Sequence, residues 1–543
     1  MPNRHYLKRD FNNWSIYTLA IVIFIAVPIL TIFLKLFSGP GETWQHIVKN
    51  LLADYTINSL WLIFGCIILT LLFGVSSAWI VSRYKIPFQN TIEWMLILPL
   101  AIPSYITAYA YAGIFDYGGS LELLLRKVGI SMIKIDIMNI YGLIVVLSLS
   151  LFPYVYVSTR AVFLYQSNRL IEASKLLGAS EIKTFFNIVL PVARPAIIGG
   201  LFLVLMEVLN DYGAAKYFGV NTFTTGIFRT WFSLEEPNTA VYLSALLLLV
   251  VFVLIFLERL QRGDKKYNLA LKSDIQLPKK NSSKKFQFLL FGLASIPLVF
   301  GFLLPFLQLV YWAFLTYSDT ISIAFFNTAL QSLSISILTA FLTVLIAVMV
   351  LYFPKWNRLK FLKDTPKIAV LGYAIPGAVI ALGVMIPTLV LDKWFIKTMK
   401  QVMNIDIGLI INGTIAILVY AYIIRFLAVA FNPIEASQTK IGKQLSESSK
   451  LLGKNNLVTF IKIELPLLKT GLLSAFILVF VDIMKELPLT LILKPYHINT
   501  LAVKAYEYAS DEQIMEASIP SLLIIVTGII PIILLNKLIL GAK

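Results

Sequence analysis

The 543-residue chain carries carboxylates where a charge is expensive, inside or beside long apolar runs. They form two pairs at matching positions in the two halves of the chain: Glu207 with Asp211, then Asp482 with Glu486. A charge at the centre of a bilayer costs about 2.5–3.5 kcal/mol on insertion scales, so such side chains usually face a cavity or an interface. The four carboxylates could therefore line a translocation path or its gate. They could equally be paired, solvated charges just outside the membrane.

Other kinds of chemistry find little support in the sequence. The fragment Gly442-Lys443 lacks the first glycine and the hydroxyl residue of a nucleotide-binding phosphate loop. The single cysteine permits no disulfide framework, and three widely separated histidines form no metal-ligand motif: His5, His46 and His497. We therefore predict no catalytic residue, no metal site and no cofactor in this chain, so any ATP would be bound and hydrolysed by another subunit.

One short motif occurs twice. Glu172-Ala-Ser-Lys-Leu-Leu-Gly178 is repeated as Glu447-Ser-Ser-Lys-Leu-Leu-Gly453, and each copy is followed by Leu-Pro, with the prolines at Pro191 and Pro466. Further matches follow in the same order and at nearly constant spacing, which chance is unlikely to produce. The chain is therefore predicted to contain two homologous halves.

The repeated motif also predicts a local structure. Residues 170–177 have the apolar spacing of a short amphipathic helix, which Gly178 would end because glycine tolerates the left-handed conformation. Ser180 can cap a second helix that runs to Pro191, and Asn455 or Asn456 can do so in the second copy. The result would be a rigid helix-turn-helix suited to docking a partner.

Membrane-spanning helices must position these residues. The chain is 58% hydrophobic and only 14% charged, whereas a soluble domain is about a quarter charged. About twelve apolar runs approach the roughly 20 residues that a spanning helix needs: Trp14–Phe37, Ile57–Val81, Ile92–Phe115, Ile140–Phe163, Ala196–Leu209, Ala240–Leu257, Phe288–Leu315, Ala329–Phe353, Ile368–Leu391, Ile407–Phe431, Leu472–Leu493 and Ile519–Leu540. We predict an all-α integral membrane protein with about twelve transmembrane helices, arranged as two tandem six-helix modules in a parallel pseudo-twofold repeat.

The modules are predicted at residues 1–260 and 287–543, with a basic cytoplasmic linker at 261–286. The net charge of +17 lies mostly in alternate short loops. That pattern indicates membrane orientation rather than nucleic-acid binding, and it predicts a multi-pass protein with both termini in the cytoplasm. Because each half has an even number of spans, both copies of the repeated motif would face the cytoplasm.

The motif resembles the Glu-Ala-Ala loop of permeases of ATP-binding-cassette importers. In that family the loop is the coupling helix, which sits in a cleft of the ATPase subunit. The resemblance implies a set of ATPase-coupling residues: Glu172, Ala173, Gly178, Pro191, Glu447, Ser448, Gly453 and Pro466. Both copies replace the second alanine with serine, a small-for-small change at Ser174 and Ser449.

Residues 211–229 and 485–510 are similar to the ferric-iron permeases, in which one chain holds both modules. The resemblance implies a permease subunit of the bacterial inner membrane that passes ferric iron to the cytoplasm. Its partners would be two copies of a cytoplasmic ATPase and an extracytoplasmic substrate-binding protein. Thiamine, phosphonate, sulfate and polyamine remain alternative substrates, and an ion-coupled secondary transporter remains the alternative mechanism.

Overall fold

The computed structural model describes residues 13–129, 135–165, 168–262, 279–356, 362, 366, 370–405 and 408–541, and these are almost entirely helical. The helices are α1 (Asn13–Lys35), α2 (Trp44–Asn50), α3 (Leu52–Arg83), α4 (Gln89–Met95), α5 (Ser104–Phe115), α6 (Ser120–Lys127), α7 (Ile140–Tyr165), α8 (Asn168–Leu176), α9 (Glu181–Asn210), α10 (Gly213–Tyr217), α11 (Phe223–Phe228), α12 (Pro237–Arg262), α13 (Lys284–Thr320), α14 (Ile323–Tyr352), α15 (Gly377–Met403), α16 (Ile415–Lys440), α17 (Lys443–Leu451), α18 (Asn456–Leu467), α19 (Lys469–Lys485), α20 (Pro488–Leu493), α21 (Leu501–Ser510) and α22 (Ser518–Gly541). Short 3₁₀ turns at Leu98–Ala101 and Val370–Ala374 precede α5 and α15.

In the part of the chain that the structure describes, nine helices are long and apolar enough to cross a membrane: α1, α3, α7, α9, α12, α13, α14, α15 and α16. Two bent helix pairs are also apolar enough, with 91° between Gln89–Ala101 and Ser104–Lys127 and 73° between α18 and α19, which gives up to eleven spans in the described residues. Each of the twelve predicted apolar runs falls on one of these elements or on α22, whose apolar stretch is shorter. The prediction of an all-α, multi-pass membrane protein is confirmed.

The predicted end of the second motif helix at Pro191 is wrong, because α9 continues through this proline to Asn210. A proline inside an α-helix removes one hydrogen bond and clashes with the carbonyl four residues earlier. Here a wider π-turn at Phe185–Val189 lies one residue before the proline, so the local backbone departs from α-helical geometry where the ring would clash. The same arrangement occurs at Phe460–Glu464 before Pro466.

The predicted eleventh span, Leu472–Leu493, is also corrected by the structure. Helix α19 ends at Lys485, Glu486 takes an extended conformation, and α20 begins separately at Pro488. The apolar residues on both sides of Glu486 made one run in the sequence, although the backbone breaks between them.

The described residues pack into two units, each of which combines helices from both halves of the sequence. One unit draws on Met1–Glu42, Thr230–Leu248 and Ser322–Lys504, and the other on Thr43–Arg229, Leu249–Ile321 and Ala505–Lys543. The two sequence modules, 1–260 and 287–543, stay a prediction; the two packing units have different bounds and combine segments of both modules. Of the predicted linker 261–286, residues 263–278 lie outside the described residues, and α12 and α13 extend into its two ends.

The first helix of each half packs against helices of the other half. In the first unit α1 contacts α15 so closely that a Cβ atom at Gly383 would collide with the carbonyl of Pro28. In the second unit α13 lies against α7, where a Cβ atom at Gly301 would collide with the carbonyl of Leu149. Glycine permits both close approaches, and these let the first helix of each half pack against a helix of the other half.

Candidate functional site

The first copy of the repeated motif forms a helix-turn-helix on the protein surface. Helix α8 ends before Gly178, whose φ of +77° lies in the left-handed region that glycine favours. The amide of Ala179 donates to the carbonyl of Ser174 at 3.1 Å, which is the closing hydrogen bond of a Schellman motif. Ser180 then caps α9 by accepting from the amide of Lys183 at 3.3 Å. The predicted glycine stop and serine cap are confirmed.

The second copy repeats this geometry. Gly453 has a φ of +78° after α17, and the amide of Lys454 donates to the carbonyl of Ser449 at 3.2 Å. Of the two predicted caps the structure selects Asn455, which accepts from the amide of Val458 at 2.8 Å. We call the two elements, residues 168–191 and 443–466, the first and second surface loops.

A buried hydroxyl pair locks the two helices of each surface loop together. Ser174 and Thr184 lie 2.8 Å apart in the first loop, and Ser449 and Thr459 lie 2.9 Å apart in the second, measured between the hydroxyl oxygens. All four residues are buried. Sequence reasoning missed this bond because it treated the serines as harmless replacements for alanine, although serine and threonine recur at the same spacing in both copies.

Apolar side chains at the turn of each surface loop point into solvent. Leu176 and Leu177 are 89% and 87% exposed, and Leu451 and Leu452 are 88% and 79% exposed. Four of the eight predicted coupling residues are exposed beside them: Glu172, Ala173, Glu447 and Ser448. Contiguous exposed apolar residues usually mark an interaction surface, so each loop presents a rigid, partly apolar face. Pro191 and Pro466, also in the predicted set, follow the π-turns along the chain.

The two surface loops differ in how they join the rest of their units. Helix α9 runs without a sharp bend from the first loop to Asn210, whereas α18 turns by 73° at Leu468 before α19. Glu181, at the start of α9, is also paired with Lys280, whose Nζ lies 2.8 Å away, and accepts from the hydroxyl of Tyr84 at 3.2 Å. Its counterpart in the second loop is the uncharged Asn456.

Asp211 lies where α9 ends and α10 begins, in an extended conformation and 8% exposed. One carboxylate oxygen accepts from the hydroxyl of Ser104 at 2.5 Å, and the other accepts from the amide of Ala215 at 3.0 Å. Ser104 is the first residue of α5, directly after Pro103. This group, which we call the first junction, ties the break after α9 to the start of α5.

Glu486 occupies the matching break between α19 and α20 and is 6% exposed. One of its oxygens accepts from Nε of Arg425 at 3.0 Å, and the other accepts from the amide of Leu489 at 3.1 Å. Nη1 of Arg425 also donates to the carbonyl of Ile375 at 2.8 Å, just before Pro376 and α15. We call this group the second junction. Sequence reasoning missed Arg425, although a lone arginine inside an apolar run is a functional signal.

Glu207 and Asp482, the remaining predicted carboxylates, lie one helical turn before the junctions on α9 and α19. Both are partly exposed. Among the residues that the structure describes, no group of three or more histidine, cysteine, aspartate or glutamate side chains is arranged to hold a metal ion.

Comparison with known proteins gives a consistent picture. Residues 70–264 match the family described as "Binding-protein-dependent transport system inner membrane component". The Fe(3+)-transport system permease protein FbpB 2 of Haemophilus influenzae is 26% identical, over 95% of this chain and 97% of that protein. The sulfate transport system permease protein CysT of Escherichia coli is 24% identical over 37% of this chain and 72% of that protein. The spermidine/putrescine transport system permease protein PotB of H. influenzae is 28% identical over 33% and 63% respectively.

Proposed function

We propose that this chain, a permease of the binding-protein-dependent transport class, is the membrane-spanning subunit of an ATP-driven importer of ferric iron. Substrate arrives from an extracytoplasmic binding protein and passes to the cytoplasm. Two copies of a cytoplasmic ATPase bind the two surface loops, so ATP is bound and hydrolysed outside this chain. The chain itself is not an enzyme and needs no cofactor of its own.

The observation that carries this proposal is the duplicated surface loop. Both copies share the glycine turn, the buried hydroxyl pair and two exposed leucines. A transporter driven by an ion gradient does not require two equivalent rigid docking faces. An importer with a symmetric pair of ATPase subunits needs two of them.

The helices behind the surface loops suit the transmission of movement. Helix α9 spans 30 residues, which corresponds to about 45 Å at 1.5 Å per residue, and it joins the first loop directly to Asp211. The second loop is joined to Glu486 through α18 and α19. Because a ligand shifts an equilibrium only through its different affinities for the two states, ATP must favour one arrangement of these helices over the other.

One line of support points to ferric iron. The iron permease matches nearly the whole of this chain, whereas the sulfate and polyamine permeases match about a third of it. Selection of the substrate then falls mainly to the binding protein.

The proposed orientation has both termini in the cytoplasm of a bacterial cell, with the chain in the inner membrane. Basic residues at alternate helix ends and loops support this arrangement, including Arg83 at the end of α3, Lys85 after it and Lys355 after α14. The two sequence modules, 1–260 and 287–543, then place both surface loops on the ATPase side.

The test is co-purification of an ATPase with this chain from membranes of the source organism. A variant with Leu176→Ser, Leu177→Ser, Leu451→Ser and Leu452→Ser removes the apolar faces without altering either turn. The matched control is Leu123→Ser with Leu124→Ser, a second pair of exposed leucines that lies in α6, outside the surface loops. We expect the wild type and the control to retain the ATPase and the loop variant to lose it.

Substrate is tested with the purified complex in proteoliposomes. We expect ATP-dependent uptake of radiolabelled ferric iron that excess sulfate or spermidine does not inhibit. Uptake driven by a proton or sodium gradient, with no ATPase bound to the wild type, would show that the importer assignment is wrong.

A further inference from the structure

The ion pair between Arg425 and Glu486 is not explained by docking to an ATPase. Both residues are buried, at 4% and 6% exposure, within a unit of a membrane protein. Burying two charges has a desolvation penalty that their attraction often fails to recover, so a buried ion pair is weak evidence of a contribution to stability. Charged residues inside membrane segments usually serve a function.

The two junctions join the same elements in the two halves. Pro103 and Pro376, which precede α5 and α15, have nearly identical backbone angles, with φ of −55° and ψ of 143° and 142°. Asp211 and Glu486 have φ of −65° and −72° and ψ of 122° and 117°. In both halves the acidic residue also accepts an amide hydrogen bond from the short helix that follows. The backbone frame is therefore shared.

The side chains that complete the two junctions differ between the halves at each matched position. Ser104 of the first junction corresponds to Gly377 in the second, where a Cβ atom would come within 2.5 Å of Oε1 of Glu486. The longer glutamate thus occupies the space that the serine side chain fills in the first half. Helices α7 and α16 have the same length and register, and they place Ser150 where the second half has Arg425.

The exchange changes how each break is held. In the first junction Asp211 reaches the start of α5 directly, and Ser150 donates within its own helix, to the carbonyl of Val146 at 3.1 Å. In the second junction Glu486 reaches the start of α15 through Arg425, which also donates to the carbonyl of Ile375. The second junction thus has an arginine–glutamate ion pair where the first has a single serine hydroxyl as the donor.

We propose that the two junctions are equivalent clasps at the far ends of the helices that carry the surface loops, and that Arg425 is the positioning residue of the second clasp. Movement of the second loop reaches α19, and the clasp passes it to α15, α16 and α20 together. This proposal rests on the proposed function, because it concerns coupling between ATP hydrolysis and transport. It assigns Arg425 to that coupling rather than to docking or to substrate contact.

The decisive variant removes the bridge without leaving a buried charge. Arg425→Met with Glu486→Gln keeps the side-chain volumes and replaces the ion pair with neutral groups, an exchange that folded proteins often tolerate. We expect this variant to retain the ATPase and to hydrolyse ATP. The substrate carried per ATP hydrolysed should fall roughly tenfold, within the usual range of coupling effects.

A second variant rebuilds the first clasp in the second half. Gly377→Ser, Arg425→Ser and Glu486→Asp together supply the residue types of the first junction. We expect this triple variant to restore the transport-to-hydrolysis ratio to within about threefold of the wild type, again on the scale of coupling effects.

The control for each measurement is the amount of co-purified ATPase, which separates the two hypotheses. A wild-type chain that binds no ATPase would disprove the proposed function. The clasp proposal fails instead if the assembled Met–Gln variant transports at the wild-type ratio. It also fails if the assembled triple variant is no better coupled than the Met–Gln variant.

Discussion

The two halves of the molecule agree at their surface loops and differ at their junctions. The loops share one turn geometry, one hydroxyl pair and one pair of exposed leucines. The junctions share a backbone frame, but a serine–aspartate pair closes the first and an arginine–glutamate bridge closes the second. Surfaces that meet identical partners stay alike, whereas interior contacts need only preserve their geometry. This difference agrees with the proposed docking of two copies of one ATPase to the surface loops, while the interiors of the two halves are not identical.

The largest expected effect is on stability at the second junction. Arg425→Ala leaves Glu486 buried without its cation, and breaking a buried pair in this way costs about 3–5 kcal/mol. Ser104→Ala at the first junction removes one hydrogen bond to a carboxylate and should cost about 1.5–3 kcal/mol. Thermal unfolding of the purified chain in detergent measures both. An Arg425→Ala variant no less stable than Ser104→Ala would mean that the two junctions do not differ energetically.

The next effect is at the glycine turns and should be equal in the two loops. Gly178→Ala and Gly453→Ala force a side chain into the left-handed region, which costs about 1–2 kcal/mol per residue. A loop strained by this amount should bind the ATPase about 5- to 30-fold more weakly, as titration of the purified subunits would measure.

Gly199→Ala is the matched control for the glycine turns. This glycine lies inside α9 with open space around its Cα, where alanine favours the helix, so binding should be unchanged. A loss of affinity at only one of the two turns would contradict the equivalence of the loops.

Local sequence patterns were sufficient for the surface loops and the spans. The turn at Gly178 and the cap at Ser180 depend on residues within one or two turns of each other, so spacing alone predicts them. Hydropathy located the nine long spans of the described residues for the same reason, since burial in lipid acts on each run of residues separately. The family comparisons agree with the resemblance that the repeated motif carries.

The junctions could not be predicted in the same way. Arg425 meets Glu486 across 61 residues of sequence, and no local pattern encodes that distance. The acidic pairs were located from the repeat, but whether each side chain faces a path or caps a helix depends on its neighbours in space. The predicted helix end at Pro191 was wrong for a related reason. The rule that proline ends a helix does not take into account the π-turn that precedes this proline.

A smaller effect is expected from the hydroxyl pairs. Ser174→Ala and Ser449→Ala each remove one buried hydrogen bond and leave a threonine hydroxyl behind, at a cost of about 1 kcal/mol. Faster amide exchange in α8 and α17 would report the loosened loops. Adding Thr184→Val or Thr459→Val removes the stranded hydroxyl and should recover part of the loss. Unequal effects in the two loops would weaken the comparison on which the docking proposal rests.

The smallest effect concerns the ion pair that the first loop has and the second lacks. Burial and the neighbouring Glu181 raise the pKa of Tyr84, so its hydroxyl keeps the proton that it donates to that carboxylate. Lys280 adds a partly exposed ion pair, and such pairs contribute about 0.2–1 kcal/mol. Lys280→Ala should therefore increase amide exchange at the start of α9 slightly, and by less at high salt, because salt screens the interaction between solvent-exposed charges. Asn456→Ala in the second loop carries no charge to lose and should show no salt dependence. A salt-independent effect of Lys280→Ala would show instead that the backbone pairing of residue 280 with Arg83 and Lys85, rather than its charge, holds the first loop.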